Sequence, residues 1–130
     1  MSIEMIDAQG PEGRPYVPGL VANGELIFVS GQVPVRDGAV VGTTIEEQVE
    51  DVLDSIRSIL GRAGASLGDV VRCGVYLSEL DDLQRLNAVY ERAFGGHLPT
   101  RTTVGVDLPG YRVEIDCIAV RPTRKSHQPA

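Results

Sequence analysis

Residues 44–77, TIEEQVEDVLDSIRSILGRAGASLGDVVRCGVYL, contain the change of hydrophobic period that decides the fold. From Thr44 to Gly64 the apolar residues recur every three or four positions, which predicts a helix with one buried face. Thr44 and Glu47 form a capping-box pattern at its start, and Gly64 suits its end. The stretch Val70–Leu77 then alternates as a strand does. We therefore expect a helix packed on one face of a sheet.

Further elements are predicted on both sides of this stretch. Residues 25–30 have the apolar character of a buried strand, and residues 32–35 lead to a turn at 36–38, where we expect a hairpin. Asp81, as N-cap, begins a second helix that ends at Gly95, where the helix-favouring pattern stops.

The last two predicted strands are 101–106 and 112–120. Pro109 followed by Gly110 suits the middle of a type II turn, so we expect these two strands to pair as a hairpin. The order of elements predicts an α+β sandwich in which two helices pack on one face of a mixed sheet. The whole chain, 1–130, is expected to form one domain, with frayed tails at about 1–14 and 122–130.

A hairpin of these strands would divide their side chains between two faces. The face against the helices would be small or apolar, and the other face would mix charged with aliphatic side chains. We expect another subunit to cover part of this mixed face. The mixed face would carry Arg101, Thr103, Glu114, Asp116, Ile118 and Val120.

Charge and hydropathy argue against several classes of protein. Of the 130 residues, 12 are Lys or Arg and 18 are Asp or Glu, and the net charge of −6 disfavours binding to nucleic acid. No apolar run is long enough to cross a bilayer, and the N-terminus lacks the pattern of a signal peptide. We therefore expect a cytoplasmic protein that binds neither nucleic acid nor membrane.

Cysteine and histidine spacing predicts no metal site. Cys73 and Cys117 each stand alone in an apolar stretch, so we expect reduced core residues. Neither His97 nor His127 has a second ligand at a familiar spacing. No nucleophile elbow, phosphate loop or dinucleotide fingerprint is present, so no cofactor is expected.

Arg101 and Glu114 are the strongest candidates for chemistry. An arginine offers a planar fork that matches a substrate carboxylate, and a glutamate on the same face is able to activate a water. Spacing alone also allows a structural ion pair between Arg101 and either Glu114 or Asp116. The residues by themselves leave both interpretations open.

Six segments of residues 15–121, taken together and in order, resemble the RidA family, also called the YjgF family. They are Pro15-Tyr16-Val17, the FVSGQVPV run from Phe28 to Val35, Val70–Leu77, Asn87-Ala88-Val89-Tyr90 with Phe94, the PTRTTV run from Pro99 to Val104, and Val113-Glu114-Ile115. The resemblance implies a chorismate-mutase-like fold, a homotrimer with active sites between subunits, and no cofactor. It also implies hydrolysis of reactive enamines and imines, such as 2-aminoacrylate or 2-iminobutanoate, to 2-oxo acids and ammonia.

The resemblance also implies roles for seven residues. Arg101 would bind the substrate carboxylate, and Glu114 would position the attacking water. The remaining pocket residues would be Tyr16, Ser30, Gly31 through its backbone, Asn87 and Thr103.

Thr103 departs from the pattern, because many deaminating members carry a cysteine two residues after the arginine. This change leaves two other hypotheses beside the imine deaminase. One is a regulatory trimer that binds 2-oxo acids without turnover. The other is a ribonuclease, which the acidic balance and the few aromatic residues disfavour.

Overall fold

The computed structural model describes residues 1–7 and 14–123. A four-stranded mixed sheet forms its centre, and both helices pack on one face of that sheet, which confirms the predicted fold class. The elements in chain order are β1 (Ser2–Ile6), β2 (Gly19–Asn23), β3 (Leu26–Gln32), β4 (Val35–Arg36), β5 (Ala39–Val40), α1 (Ile45–Arg62), β6 (Val70–Leu77), α2 (Leu83–Phe94), β7 (Thr100–Gly105) and β8 (Val113–Val120). No helix in the described part of the chain is long and apolar enough to cross a membrane.

The capping box predicted at the start of α1 is confirmed. The Thr44 hydroxyl accepts a hydrogen bond from the Glu47 amide at 3.1 Å, and a Glu47 carboxylate oxygen accepts one from the Thr44 amide at 3.1 Å. Gly64, with φ of +77°, takes the left-handed conformation that ends a helix. The buried face of α1 then packs on the helix side of the sheet. Its fully buried members are Ile45, Val49, Val52, Leu53, Ile56 and Leu60.

The N-terminal region contains a strand pair that the sequence analysis did not predict. Residues 2–6 form β1, which pairs antiparallel with β2. The hairpin expected near residues 36–38 is confirmed as β4 and β5, because Asp37 and Gly38 both have positive φ. The remaining parts of the predicted frayed tails, 8–13 and 124–130, lie outside the described residues.

The prediction of Asp81 as the N-cap of α2 is wrong by one residue. A 3-10 turn, Leu80–Asp82, precedes the helix, and Asp82 takes the N-cap position without a side-chain capping bond. Its carboxylate is 5% exposed and instead accepts hydrogen bonds from Arg112 at 2.9 and 3.1 Å. This ion pair ties the turn before α2 to the start of β8.

The predicted hairpin of the last two strands is also wrong. The strand order is β3-β8-β6-β7, so β7 pairs in parallel with β6, and β6 separates it from β8. At Pro109–Gly110 the chain bends, with φ of +86° at Gly110 and a 2.9 Å hydrogen bond from the Gly110 amide to the Leu108 carbonyl, and this bend lies within a longer connection. Two strands joined by a helix usually lie parallel and side by side in the sheet. Strands β6 and β7, joined by α2, follow that rule.

The parallel pairing reverses the predicted faces of β7. Arg101 lies opposite Cys73, and Thr103 lies opposite Val75, so both face the helices. Glu114 lies opposite Tyr76 on the other side of the sheet, as predicted. That other side, here called the open face, also exposes large apolar side chains. The most exposed are Phe28 at 70%, Leu26 at 55% and Val104 at 42%.

The two cysteines are free and buried, as predicted, and lie directly opposite each other on β6 and β8. Burial raises the pKa of Cys73 from an ordinary 9.0 to about 11. Burial raises the pKa of Cys117 to about 12. Both thiols therefore stay protonated at neutral pH and act as apolar core groups.

The raised thiol pKa values predict a loss of stability at high pH. Between pH 9 and pH 11 the unfolded chain releases thiol protons that the folded chain still holds, so rising pH favours unfolding. Each thiol contributes up to about 1.4 kcal/mol per pH unit. As pH rises across this range, the free energy of unfolding, measured with urea, is expected to fall less steeply for the double variant Cys73→Ala/Cys117→Ala than for the unmodified protein. Equal slopes of the free energy of unfolding against pH in the two proteins would contradict the prediction.

Candidate functional site

Arg101 extends from β7 towards α2, where two side chains hold its guanidinium. Its Nη2 donates a 2.7 Å hydrogen bond to the Asn87 side-chain oxygen. Its central carbon lies 4.8 Å from the centre of the Tyr90 ring, which is a cation–π geometry. Tyr90 is fully buried and packs against Phe94 with ring centres 4.5 Å apart. The guanidinium is therefore held on a rigid aromatic surface.

The Arg101 charge is partly buried and has no carboxylate partner among the described residues. Burial lowers the pKa of Arg101 from its ordinary value, because removal from water disfavours the cation. Its Nη1 atom is buried and makes no hydrogen bond. A buried cation with an unused donor is costly without an anion, so this position favours an anionic ligand.

Thr103 adds a second unused polar atom on the same side of β7. Its hydroxyl oxygen is buried and makes no hydrogen bond within the described residues. Because Thr103 follows Arg101 by two residues, both side chains project from the same face of the strand. A carboxylate beside them would accept from Arg101 Nη1 and from the Thr103 hydroxyl.

Tyr16 lies at the start of β7. The amide of Val17 donates to the Pro99 carbonyl at 3.2 Å, which ties this segment to the strand that carries Arg101. The Tyr16 side chain lies within electrostatic range of the Arg101 guanidinium. We call Tyr16, Asn87, Tyr90, Arg101 and Thr103 the arginine half-site.

Glu114 belongs to a different cluster, on the open face. Val29 pairs with Cys117 and Gln32 with Ile115, so Ser30 and Gly31 form a β-bulge opposite a single residue of β8. A Cβ atom on Gly31 would lie 2.0 Å from a Glu114 carboxylate oxygen. The carboxylate thus occupies the space above the glycine. We call Ser30, Gly31 and Glu114 the glutamate half-site.

The neighbouring carboxylate, Asp116, is tied into the sheet. Its oxygens accept hydrogen bonds from the Gly74 amide at 3.2 Å and the Tyr76 hydroxyl at 3.0 Å, and Arg72 lies 3.6 Å away. Glu114 makes no hydrogen bond or ion pair with any described residue. Of these two carboxylates of β8, only Glu114 is therefore free to hold a water.

The two half-sites are separated within one chain. Adjacent strands lie about 4.8 Å apart, so β7 and β8 are about 10 Å apart across β6, and their functional side chains leave opposite faces. The alternative of an ion pair between Arg101 and Glu114 or Asp116 is therefore wrong. The expectation that Arg101 and Thr103 share a face with Glu114 is wrong for the same reason.

Sequence reasoning missed the role of Tyr90, which it named only within the Asn87–Tyr90 segment of the family resemblance. Its distance of three residues from Asn87 was the available signal, because residues i and i+3 share one face of a helix. A further cleft of about 880 Å³ lies away from both half-sites, between the end of α1 and Arg121. Among the described residues no cluster of His, Cys, Asp and Glu is placed to hold a metal ion.

Comparison with known proteins assigns the family. The model of the endoribonuclease L-PSP family, which is the YjgF/RidA family, matches residues 6–121. The protein belongs to the RidA family. A RutC family protein of Saccharolobus solfataricus is 44% identical over 109 residues, which cover 81% of this chain and 86% of that protein.

Other RidA relatives carry different functional names. Escherichia coli TdcF, provisionally named a reactive intermediate deaminase, is 37% identical and spans 92% of this chain and 95% of its own. The crystal structure of TdcF with bound serine has a TM-score of 0.70 at 34% identity, covering 92% of this chain and 98% of that one. Lactococcus lactis AldR, provisionally named a regulator, is 38% identical and covers 90% of this chain and 94% of its own.

Gly31→Ala is expected to displace the Glu114 carboxylate while leaving the fold intact. The added methyl group would overlap a carboxylate oxygen, and the flexible end of Glu114 is able to move away. A crystal structure of the variant would show the new carboxylate position. Gly68→Ala is the control, because its Cβ would make only an ordinary 3.7 Å contact. An unmoved Glu114 in Gly31→Ala would contradict this assignment.

Proposed function

We propose that this RidA-family protein hydrolyses reactive enamines and imines derived from 2-amino acids to 2-oxo acids and ammonia. The substrates would be of the 2-aminoacrylate and 2-iminobutanoate class. The observation that carries the proposal is the partly buried Arg101 cation, which lacks a carboxylate partner among the described residues and keeps an unused donor. The name of TdcF and the serine in its crystal structure support a ligand built like an amino acid.

Arg101 and Thr103 would hold the substrate carboxylate. The Arg101 Nη1 donor and the Thr103 hydroxyl are two of the three buried groups of this half-site that make no hydrogen bond, the third being the Tyr90 hydroxyl. Asn87 keeps the guanidinium in place through its oxygen. A hydroxyl donates a stronger hydrogen bond than a thiol, so Thr103 is able to replace the cysteine of other members as a binding group. Tyr16 would close this side of the pocket.

Glu114 would handle the proton during hydrolysis. The oxygen of water bonds to C2 of the imine while the Glu114 carboxylate accepts a proton from that water. The electron pair of the C=N π bond moves to nitrogen, which takes up that proton to give a carbinolamine. Glu114 next accepts the remaining hydroxyl proton and passes it to nitrogen, so that the C–N bond breaks, ammonia leaves and the C2 oxygen becomes a carbonyl. Ser30 and the backbone of Gly31 lie beside Glu114 at the bulge, where they would fix the water. The chemistry needs no metal or cofactor.

A complete site would be formed by two copies of the chain. One small imino acid is too short to reach both half-sites of a single chain, because they lie on opposite faces of the sheet. The apolar open face provides the surface on which another copy would pack. We propose a cytoplasmic homotrimer, in which the arginine half-site of one subunit meets the glutamate half-site of the next.

A regulatory protein that binds 2-oxo acids is the second candidate. The arginine half-site would bind a 2-oxo acid as readily as an imino acid, because both present the same carboxylate. The name of AldR supports this candidate. Such a protein would need Arg101 and would not need Glu114.

Glu114→Gln is expected to lower kcat for imine hydrolysis by about a hundredfold or more, because it removes the proton acceptor. The imine would be generated by an amino acid oxidase and followed by semicarbazone formation, after subtraction of the spontaneous rate. Arg101→Lys is expected to raise KM about tenfold or more, through loss of hydrogen bonds to a charged ligand.

Asp116→Asn is the matched control, since the sheet already holds its oxygens, and it is expected to keep most of the activity. Equal losses in Glu114→Gln and Asp116→Asn would contradict the role of Glu114. Binding of 2-oxo acids without any hydrolysis would favour the regulator. RNA cleavage that persists in Arg101→Ala would favour a ribonuclease.

Mixing two inactive variants tests whether the site is shared between copies. Co-refolded Arg101→Ala and Glu114→Gln chains are expected to recover activity, because about a quarter of the interfaces would combine two intact half-sites. Each variant refolded alone is the control. Activity that stays at the level of the single variants would contradict a site shared between copies.

A further inference from the structure

Leu80 is an exposed leucine at the apolar end of the surface that carries Arg101. Its side chain is 58% exposed. A Cβ atom on Gly105 would lie 3.0 to 3.3 Å from three carbons of Leu80. The leucine side chain therefore lies beside the last residue of β7, which remains exposed.

The helix-facing residues of β7 run from polar to apolar. Arg101, Thr103 and Gly105 follow one another at two-residue intervals on this face. The elements facing them run in the opposite direction along the chain, because Tyr90 and Asn87 contact Arg101 and Leu80 lies beside Gly105. Along β7, Leu80 thus lies beyond Thr103 as seen from Arg101. A ligand whose carboxylate lies at Arg101 would point its other end either towards Leu80 or away from it.

The position of Leu80 is fixed by its surroundings. Leu80 begins the 3-10 turn that ends at Asp82, and the buried ion pair between Asp82 and Arg112 anchors that turn. Leu83 follows and packs against the core. The backbone at Leu80 is therefore anchored, so its side chain is able to form one wall of a pocket.

We propose that Leu80 is a specificity-determining residue, which contacts the aliphatic side chain of the imino acid and limits its length. This inference rests on the proposed function. A two-residue step along a strand is about 6.7 Å, so a carboxylate held at Arg101 and Thr103 leaves only a short distance before Leu80. Carbon atoms in contact remain about 3.5 to 4.0 Å apart, so short side chains fit and longer ones meet the leucine.

Leu80→Ala tests the proposal with a series of imines whose side chains lengthen by one methylene at each step. The imines would be generated from alanine, 2-aminobutyrate, norvaline and norleucine. The ratio of kcat/KM for the norleucine imine to that for the alanine imine is expected to rise about tenfold or more in Leu80→Ala. Leu80→Phe is expected to lower the same ratio. Because each ratio is taken within one protein, partial unfolding does not change it.

Val40→Ala is the control, because Val40 is an exposed apolar residue of β5 that is absent from both half-sites. An unchanged ratio in both Leu80 variants would overturn the inference while leaving the proposed function standing. If the unmodified protein hydrolyses no imine, the proposed function fails, and calorimetric binding of the matching 2-oxo acids tests Leu80 instead. The inference is overturned if Leu80→Ala binds long and short 2-oxo acids with the same ratio of affinities as the unmodified protein, or if it binds neither.

Discussion

The parallel pairing of β7 with β6 is the constraint on which the candidate site depends. It places Arg101 opposite Cys73, on the side of the sheet that the helices cover. An antiparallel hairpin with β8 would have placed the arginine on the open face beside Glu114. The crossover through α2 enforces the parallel arrangement, because a strand that follows such a helix returns in the same direction as the first strand. The same helix then supplies Asn87 and Tyr90 to the guanidinium.

Arg101 is kept charged in a partly buried place by neutral groups. A ring face and an amide oxygen stabilise the cation without neutralising it, so its attraction for an external anion is retained. A carboxylate neighbour in the same chain would have satisfied the guanidinium and removed that attraction. The buried Nη1 donor is thus left without a hydrogen bond, which is the arrangement expected of a binding site.

Each of the two carboxylates of β8 lies over a glycine, but the surroundings of the two glycines differ. Glu114 lies over Gly31 and Asp116 over Gly74, in each case where a side chain would otherwise stand. At Gly74 the carboxylate gains an amide, a tyrosine hydroxyl and a nearby arginine, so it has a structural role. At Gly31 the bulge leaves the Glu114 carboxylate without a partner among the described residues. The local backbone therefore decides which carboxylate is available for chemistry.

The sequence by itself determined the two helices, strand β6, the α1 capping box and the reduced core cysteines, because these follow from local periodicity and side-chain chemistry. Ordered motifs also identified the family and its candidate residues. Only the tertiary structure decided the partner of β7, the ring beneath Arg101 and the separation of Arg101 from Glu114. Strand order depends on contacts between distant segments, and a local pattern such as Pro109–Gly110 specifies a turn without specifying which strands it joins.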